Sequence, residues 1–521
     1  MKKNQSSSLA SKTKFNWADI HWPLVEKRVN HLQGRIYIAS KIGNVKRVHF
    51  IQNILLNSLD AKLLATRKVT TESKIRKIAG LDNIIASTPL EKMNLTSNLK
   101  VDGIAAPIRH ICITKPGKSE NRQLGIPIIQ DRAKQKLVLM ALEPEWEAKF
   151  EASSYGFRPG RSSHDAVEKV FLSLKNDKSK FGKPECKFVL TAHLKGCLDN
   201  IDHDYLIQTL NTFPRIQTQI RAWLKAGIFE GLTLATSGDF CENEVGTPQG
   251  GVISPFLANV ALHGMENFLK SWITTQTWPV PHDRKDRLWN RNKSDSITVV
   301  RYADAFIVTH LDRNVLEKAK IALEEWFTNT SKITFNNTTI KIVSVMEGFN
   351  FLGVSFINLM RQGKARIKIY PSKEKQLSII KKIGDLCRKY RSISSYDLIS
   401  FLRPIILGWA NYYRFTECKE VFNKLDFKTF GILRAWVFRR DKRNGRNEVK
   451  ERYFPSGNVY KYDGCEYKDN WILVGKKKDE KGIVKTNYLI KFSWVKSAKH
   501  VLVADTNSIY DKSLSAYWCK L

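Results

Sequence analysis

Apolar residues at helical spacing dominate the first part of the chain. Val25, Val29, Leu32 and Ile36 follow one another at intervals of three or four residues, and the run from Val48 to Leu64 repeats this spacing. Such intervals place apolar side chains on one face of a helix, so we predict amphipathic helices here. The basic residues between them are either an ordinary solvated face or an RNA-contacting surface.

Short β-rich runs bounded by turn residues occupy the middle of the chain. Ile108 to Pro127 is typical of a basic β-hairpin, and Phe188 to Leu194 (FVLTAHL) has the pattern of a buried strand. Arg301 to Val308 (RYADAFIV) holds an acidic residue between two apolar runs, which predicts a hairpin with a carboxylate at its tip. Phe349 to Phe356 is predicted to be a further strand. Helices before and after these strands place the chain in the α+β class.

Two loops rich in glycine lie between the predicted strands. The first, Ser153 to Val167 (SSYGFRPGRSSHDAV), carries two arginines on a segment that Gly and Pro keep irregular. Its His164 and Asp165 open the next helix and are more typical of a helix cap than of a catalytic pair. The second loop, within Gly246 to Glu266, allows close backbone approach to a sugar-phosphate chain, to which Gln249 can hydrogen-bond.

From Pro371 onward the apolar spacing is helical again and predicts a helical bundle, with Arg403 and Arg414 among the polar residues that interrupt it. The last stretch, Leu433 to Leu521, is densely basic, and aromatic residues lie between the cations. Cations neutralise phosphates and aromatic rings stack on bases, so this composition favours nucleic-acid contact over a plain solvated face.

The composition adds a strong excess of positive charge. The 521 residues include 86 Lys and Arg against 50 Asp and Glu, which gives a formal charge of +36 and a pI near 9.8. Such an excess is typical of proteins with a polyanionic partner. Nucleic acid fits better than a membrane, because no basic amphipathic anchor stands out and no run approaches the roughly 20 apolar residues of a membrane span.

The cysteines and the start of the chain predict the compartment. The 8 cysteines contain no CxxC pair, which argues against a zinc ribbon and favours a reducing environment. The opening MKKNQSSSLASKTKF lacks the apolar run of a signal peptide and is predicted to be a disordered basic arm. We expect a bacterial cytoplasm, with an organelle interior as the alternative.

Seven motifs occur in one order: RQLGIP, SYGFRPGRSSHDAV, LKGCLDNIDH, GTPQGGVISP, RYADAFIV, GFNFLGVSF and RPIILGWANYYR. Together they resemble the proteins encoded by group II introns, from about Trp17 to about Lys512. The resemblance implies a right-hand polymerase fold with fingers and palm, a helical thumb called the maturase or X domain, and a small basic C-terminal domain. Many members also end in an HNH nuclease domain, which we do not expect here because the chain has no Cys pairs.

The motifs and the composition divide the chain into five predicted segments. They are a disordered basic arm (1–15), an N-terminal helical extension (16–100), reverse transcriptase-like fingers and palm (101–365), the thumb or maturase X domain (366–430) and a basic C-terminal nucleic-acid-binding domain (431–521).

Departures from the family pattern affect the residues expected to hold metal ions. The family pattern in the first palm strand resembles Asp-Ala-Asp-Ile-Lys-Gly, whereas Thr191 to Gly196 reads TAHLKG. His193 therefore matches a metal-binding Asp, and the Asp pair of the family hairpin is matched by Asp304 and Ala305. Mg²⁺ prefers oxygen ligands, and two ions about 4 Å apart need bridging carboxylates. No catalytic set is intact, and Asp304 is left as a relic, a structural residue or a ligand for one weakly held ion.

The resemblance implies two activities, and the changes at the metal-ligand positions are compatible with only one of them. Maturases bind their intron RNA and help it fold and splice itself, and reverse transcription copies the intron into DNA. We expect a maturase that has lost reverse transcriptase activity and requires no cofactor, the Mg²⁺ being used by the RNA. The alternatives are an active RNA-directed DNA polymerase for intron mobility and a trans-acting splicing factor that serves several introns.

The expected partner is group II intron RNA, and no membrane is expected. Binding of target DNA and dimerisation stay open. The candidate RNA-binding residues are polar or basic and lie in the loops, the thumb and the C-terminal stretch. They are Arg122, Arg158, Arg161, Lys195, Gln249, Arg403, Arg414, Arg439, Arg440 and Arg443.

Overall fold

The computed structural model describes most of the chain. The described residues are 16–114, 121–175, 187–194, 196, 200–230, 239–241, 246, 250–277, 293–333, 340–361, 364–478, 480, 482–504 and 507–519. The predicted basic arm at 1–15 lies outside them, as do Lys195 and Gln249. None of the helices in the described part of the chain is long and apolar enough to cross a membrane.

The N-terminal region is helical, as the apolar spacing predicted. Val29, Ile36 and Ile51 are fully buried in one core with the long helix that follows the first hairpin. Polar contacts fix the same face, since the Gln33 side chain donates to the Met140 carbonyl at 2.9 Å. The helices are α1 (Trp22–Lys41), α2 (Val45–Asn57), α3 (Leu59–Arg67) and α4 (Pro89–Ser97), with short turns of helix at Trp17–Asp19 and Lys68–Glu72.

A small sheet and one long helix form the next layer. The predicted basic hairpin is confirmed, with Arg109 paired to Ile126 in antiparallel register. The sheet runs in the order β2-β1-β4-β5. The elements are β1 (Ile108–Thr114), β2 (Asn121–Ile126), α5 (Ile129–Glu147), α6 (Ser163–Leu174), β3 (Phe188–His193), α7 (His203–Leu210), α8 (Pro214–Lys225), β4 (Ile228–Glu230), β5 (Asp239–Cys241), α9 (Ser254–Ala261) and α10 (Met265–Thr275).

A four-stranded antiparallel sheet, in the order β6-β7-β3-β8, lies between two hydrophobic cores. Alternate residues of one strand enter two different cores: Phe306 and Val308 pack with the helix that follows, and Ile307 packs on the side of α6. Successive strand residues point to opposite faces, so the apolar run after Asp304 reflects burial on both faces. The elements are β6 (Thr298–Tyr302), β7 (Ala305–His310), α11 (Arg313–Asn329) and β8 (Lys341–Ser344).

The single strand predicted over Phe349 to Phe356 is wrong, because the chain reverses within it. Leu352 and Gly353 have φ of 50° and 79°. Two consecutive positive φ values are typical of a two-residue hairpin turn, and Phe351 pairs with Val354 across it. The resulting three-stranded sheet contains β9 (Phe349–Phe351), β10 (Val354–Arg361) and β11 (Lys364–Pro371).

The predicted helical bundle is confirmed, but its two predicted boundaries are wrong. The boundary after residue 365 falls within β11, and the boundary after residue 430 falls within a continuous helix. That helix buries Phe422, Leu433 and Trp436 along one face, so it cannot be divided between two domains. The bundle contains α12 (Lys373–Lys389), α13 (Ser395–Tyr413) and α14 (Lys419–Arg440).

The remaining chain forms two small hairpins and then returns to the first helices. Tyr510 donates a hydrogen bond to Glu143 of α5 at 2.8 Å, and Lys41 of α1 pairs with Asp511 at 3.7 Å. The elements are α15 (Arg446–Tyr453), β12 (Val459–Tyr462), β13 (Cys465–Lys468), β14 (Val474–Lys478), β15 (Val484–Tyr488) and α16 (Ser515–Trp518), with short turns of helix at Phe492–Trp494 and Lys512–Leu514.

The burial of His263 makes the stability of the protein depend on pH. Its ring lies 5.6 Å from that of Trp146 and 6.0 Å from that of Phe150. Burial, followed by the charge of Arg301, lowers the pKa of His263 from 6.5 to about 4. As the pH falls, the unfolded chain binds the proton first, so this contribution is complete above about pH 6.5 and lost progressively towards about pH 4. We expect a loss of about 3 kcal/mol, at 1.36 kcal/mol per pKa unit.

Urea unfolding of the wild type and of His263→Phe across this pH range measures the effect. The free energy of unfolding of the variant should depend less steeply on pH, whereas His21→Gln, a change at an exposed histidine, should leave the wild-type profile unchanged. Parallel profiles for the wild type and His263→Phe would contradict the prediction.

Candidate functional site: the central hairpin and the basic surfaces

The tip of the β6–β7 hairpin presents one carboxylate to solvent. Tyr302 pairs with Ala305, so Ala303 and Asp304 form a two-residue turn. Ala303 has φ of 56°. A positive φ at the first turn position is typical of a type II′ turn and is usually taken by Gly. The Asp304 carbonyl accepts a hydrogen bond from the Leu194 amide at 2.9 Å, which fastens the tip to the end of β3.

Gly156 of the first glycine loop packs directly against this turn. A Cβ atom at Gly156 would lie 2.3 Å from the Ala303 amide nitrogen, so no larger residue fits. Asn259 of α9 donates to the Gly156 carbonyl at 2.6 Å and accepts from Arg301 Nη1 at 2.9 Å. The loop, the hairpin and α9 are thereby held as one unit.

Arg301 is buried and also connects the loop to the hairpin through its backbone. Its amide donates to the Ser153 carbonyl at 2.8 Å, and its carbonyl accepts from the Tyr155 amide at 2.9 Å. Sequence reasoning missed both Arg301 and Asn259. The available signal was an arginine within an apolar strand pattern, because a buried charge requires specific partners.

The family ligand positions come together in space. His193 is the residue opposite Ala305 in the β3–β7 register, and His193 Nε2 lies 3.5 Å from Asp304 Oδ2. The two side chains are 57% and 43% exposed, so both face open solvent at the hairpin tip. Residues more than 100 positions apart in the sequence thus lie together at the hairpin tip, as the motifs predicted.

This set does not fit a pair of Mg²⁺ ions. A two-metal site requires carboxylates that bridge the ions and balance their charge, and Ala305 supplies no ligand atom while His193 supplies a nitrogen. Within the described ranges, no cluster of three or more His, Cys, Asp or Glu residues is placed to hold a metal ion.

Asp202, which follows the first palm strand in the sequence, makes structural contacts of its own. It caps α7 by accepting from the Tyr205 amide at 2.8 Å and pairs with Lys332 at 2.6 Å. The hydrogen bond from Lys332 is the main reason that the pKa of Asp202 is lowered. Asp202 is therefore a poor substitute for a missing metal ligand. The other Asp of the same turn, Asp199, lies outside the described residues.

Phe157 presents an exposed ring beside the same hairpin. Its φ is 56° and its exposed fraction is 59%, and its ring centroid lies 6.5 Å from that of Tyr302. A left-handed backbone costs a residue other than Gly about 1 kcal/mol or more, so the packing of the surrounding loop must hold Phe157 in this conformation. Sequence reasoning missed Phe157, since its exposure depends on the loop conformation.

The prediction that Arg158 binds RNA is wrong. Arg158 is buried, and its Nε and Nη2 atoms donate to the Glu147 carboxylate at 2.7 and 3.0 Å. Its Nη1 atom donates to the Glu151 and Ser154 carbonyls at 2.8 and 2.7 Å. A bidentate pair of this kind is strong and geometrically specific, so Arg158 holds the loop and is not available to a ligand.

The predicted helix cap at the start of α6 is confirmed. Ser162 is the N-cap residue and Asp165 completes a capping box with it. Asp165 also accepts from His500 Nε2 at 2.9 Å and from the Val503 amide at 3.1 Å. Burial raises the pKa of Asp165, but these hydrogen bonds more than offset it and the pKa is lowered overall. The cap therefore joins the loop to the C-terminal segment.

The other predicted RNA-binding residues divide into packed and exposed groups. Arg161 donates to the Asn507 carbonyl at 3.1 Å, Arg403 donates to Asn487 at 3.3 Å, and the backbone carbonyl of Arg414 accepts from the Ala498 amide at 2.9 Å. All three are half-buried, and their binding to RNA stays a prediction. The exposed residues are Arg439, Arg440 and Arg443. The side chain of Arg122 and the residues Lys195 and Gln249 lie outside the described part of the structure.

Three family profiles match the chain in sequence order. Residues 17–99 match the profile described as the N-terminal domain of reverse transcriptase. Residues 113–356 match reverse transcriptase (RNA-dependent DNA polymerase). Residues 376–454 match the group II intron, maturase-specific domain. The last of these begins within α12 and ends after α15, so the matched region continues past residue 430.

Curated proteins with similar sequences come from bacteria and eukaryotes. YkfC of Escherichia coli (strain K12) is 28% identical over 356 residues, which is 63% of this chain and 89% of YkfC. Group II intron-encoded protein LtrA of Lactococcus lactis subsp. cremoris is 37% identical over 166 residues, which is 31% of this chain but 25% of LtrA. Maturase-like protein 1 of Euglena gracilis is 25% identical over 409 residues, covering 78% of this chain and 79% of that protein.

Proposed function

Because the chain belongs to the reverse transcriptase and maturase family of group II intron-encoded proteins, we propose that it is a maturase that no longer polymerises. Its substrate is structured group II intron RNA, which it binds and holds in the fold that splices itself. The transesterification chemistry and the Mg²⁺ ions that support it belong to the RNA, and the protein supplies binding surface.

The observation that carries this proposal is the contrast at the hairpin tip. The architecture around Asp304 is intact, including the Gly156 contact and the Arg301–Asn259 hydrogen bond. The ligand positions themselves hold His193 and Ala305. A polymerase needs the ligands as well as the architecture, whereas an RNA-binding scaffold needs the architecture alone.

The charge of the chain supports the binding role. The formal charge is +36 even though the metal-ligand positions are incomplete. A large basic surface serves RNA binding whether or not the protein polymerises. Exposed cations concentrate where α14 ends, at Arg439, Arg440, Lys442 and Arg443, and on β14, at Lys476, Lys477 and Lys478. Cations placed this way release counterions from RNA and stabilise compact folds in which phosphates approach one another.

A splicing assay at near-physiological Mg²⁺ tests the proposal. A group II intron transcript, taken from the genomic neighbourhood of the reading frame, should splice faster with the protein than without it. The triple variant Arg439→Gln, Lys442→Gln, Arg443→Gln should lose most of this gain, because it removes exposed charge and leaves the contact of Arg440 with Ile393 intact. No acceleration of any candidate intron at saturating wild-type protein would rule out the proposal.

A further inference from the structure

Two aromatic rings form an exposed stack at one end of the helical bundle. Tyr390 follows the last residue of α12, and Phe401 lies on the solvent side of α13. Their centroids are 5.0 Å apart and their planes differ by 14°. Phe401 is 45% exposed, so one face of its ring rests on Tyr390 and the other is open to solvent. A half-exposed ring with one free, flat face is suited to stacking.

The stack is held in place by its surroundings. The Tyr390 carbonyl accepts from Trp436 Nε1 at 3.1 Å, and Lys389 Nζ lies over the Tyr390 ring, 5.4 Å from its centroid. Arg440 donates to the Ile393 carbonyl in the loop that joins α12 to α13. Contacts from α14 thus hold Tyr390 and the loop after it in place before a ligand arrives.

The electrostatic surroundings are strongly positive. Nearby carboxylates are already paired with cations: Asp397 with Lys477 at 3.1 Å, Asp385 with Arg388, and Asp441 with Arg452 at 2.8 Å. Four further cations belong to none of these three pairs and are exposed: Arg391, Arg439, Lys442 and Arg443. An anionic ligand is favoured beside the stack.

The exposed positions that continue from Phe401 along α13 are uncharged. Pro404 and Gly408 follow at helical spacing and are exposed, and a Cβ atom at Gly408 would meet nothing within 4 Å. The β14–β15 hairpin borders these positions, because Gly475 packs so closely on Tyr396 that a Cβ atom there would lie 2.2 Å from the Tyr396 amide nitrogen. Lys477 of β14 pairs with Asp397 at 3.1 Å, and Asn487 of β15 donates to Ser400 Oγ at 3.1 Å, so the hairpin lies against the first turns of α13, next to Phe401.

We infer that Tyr390 and Phe401 form a platform on which one unpaired base of the bound RNA stacks, with the adjoining phosphates held by Arg391 and the cations at the end of α14. The inference rests on the proposed function for the identity of the ligand as RNA, and it adds the class of structure recognised. In a duplex both faces of each base are covered by neighbours, so an open aromatic face selects a looped-out, bulged or terminal nucleotide.

A fluorescent oligoribonucleotide tests the platform in the full chain. The probe is single-stranded RNA of about 12 nucleotides with 2-aminopurine at one central position. Binding to the wild type should quench its fluorescence through stacking. Phe401→Ala should weaken binding by about 5- to 100-fold and abolish the quenching, whereas Phe401→Trp should preserve both. Phe427→Ala is the matched control, since Phe427 of α14 is also exposed, at 79%, and should be dispensable.

Each outcome decides the inference. An equal loss of RNA affinity in Phe401→Ala and Phe427→Ala would overturn the inference and indicate a nonspecific cationic surface. So would an equal effect of Phe401→Ala on the binding of single-stranded RNA and of blunt duplex RNA of the same length. If thermal unfolding shows that Phe401→Ala is destabilised, Phe401→Leu replaces it, because leucine keeps the apolar contact with Tyr390 but has no π face. Retained quenching with Phe401→Leu would equally overturn the inference.

Failure of this inference and failure of the proposed function are distinguishable. A wild type that accelerates splicing but binds the oligonucleotide independently of Phe401 loses the platform and keeps the maturase function. A wild type that stacks 2-aminopurine on Phe401 but accelerates no intron keeps the platform and loses the maturase function.

Discussion

The double variant His193→Asp, Ala305→Asp is expected to extend a DNA primer on an RNA template, whereas the wild type should give no detectable product. The β3–β7 register places residue 193 opposite residue 305, next to Asp304, so the variant would bring three carboxylates to one hairpin tip. Metal stabilisation of the developing charge is worth several kcal/mol. At 1.36 kcal/mol per tenfold change in rate, we expect an increase of about 1,000-fold or more.

The matched control replaces the same residues with amides. His193→Asn, Ala305→Asn has nearly the same shape as the double variant but carries no added charge, so it should stay inactive. Processive cDNA synthesis by the wild type, with Mg²⁺ or Mn²⁺, would contradict the expectation and show that Asp304 and His193 suffice. An inactive double carboxylate variant would mean that changes beyond the ligands also prevent polymerisation.

The affinity of the wild type for structured RNA should fall by a factor of about 10³ to 10⁵ between about 50 and 200 mM salt, as for proteins that contact 6 to 10 phosphates. The physical cause is counterion release, because each phosphate that a Lys or Arg neutralises frees a condensed cation. The formal charge of +36 provides more than enough basic residues for this number of contacts. Filter binding or fluorescence anisotropy over a salt series gives the slope of log affinity against log salt.

Two arginines of neighbouring elements provide a matched comparison for the salt series. Arg439 of α14 is exposed, and Arg439→Gln should make the slope shallower by about 1 if it contacts phosphate. Arg452 of α15 pairs with Asp441 at 2.8 Å and with Glu448 at 3.0 Å, so Arg452→Gln should change the slope less. Equal slopes for the wild type and Arg439→Gln would remove Arg439 from the RNA interface.

Periodicity predicted the long helices and the hairpins well, because both reflect burial on one or two faces. α1 lies close to its predicted position, the run from Val48 to Leu64 forms α2 and α3 with a break at Ser58, and the β6–β7 hairpin has the predicted carboxylate at its tip. The errors arose where the backbone conformation of a turn or the packing of a whole helix determines the structure, because periodicity reports neither. The turn at Leu352 and Gly353 depends on two positive φ values. The boundary placed after residue 430 failed because a change in composition occurs within a single packed helix.

The sequence by itself determined the ligand positions, since they depend on residue identity within motifs: His193, Asp304 and Ala305 could be named before any distance was known. The tertiary structure decided which basic residues remain available. Arg158 and Arg439 look alike in sequence, yet Arg158 is buried against Glu147 and Arg439 faces solvent. Burial and pairing depend on contacts between segments that are distant in the sequence, such as α5 with the first glycine loop or α12 with α13. The residues that neighbour an arginine in the sequence do not reveal these contacts.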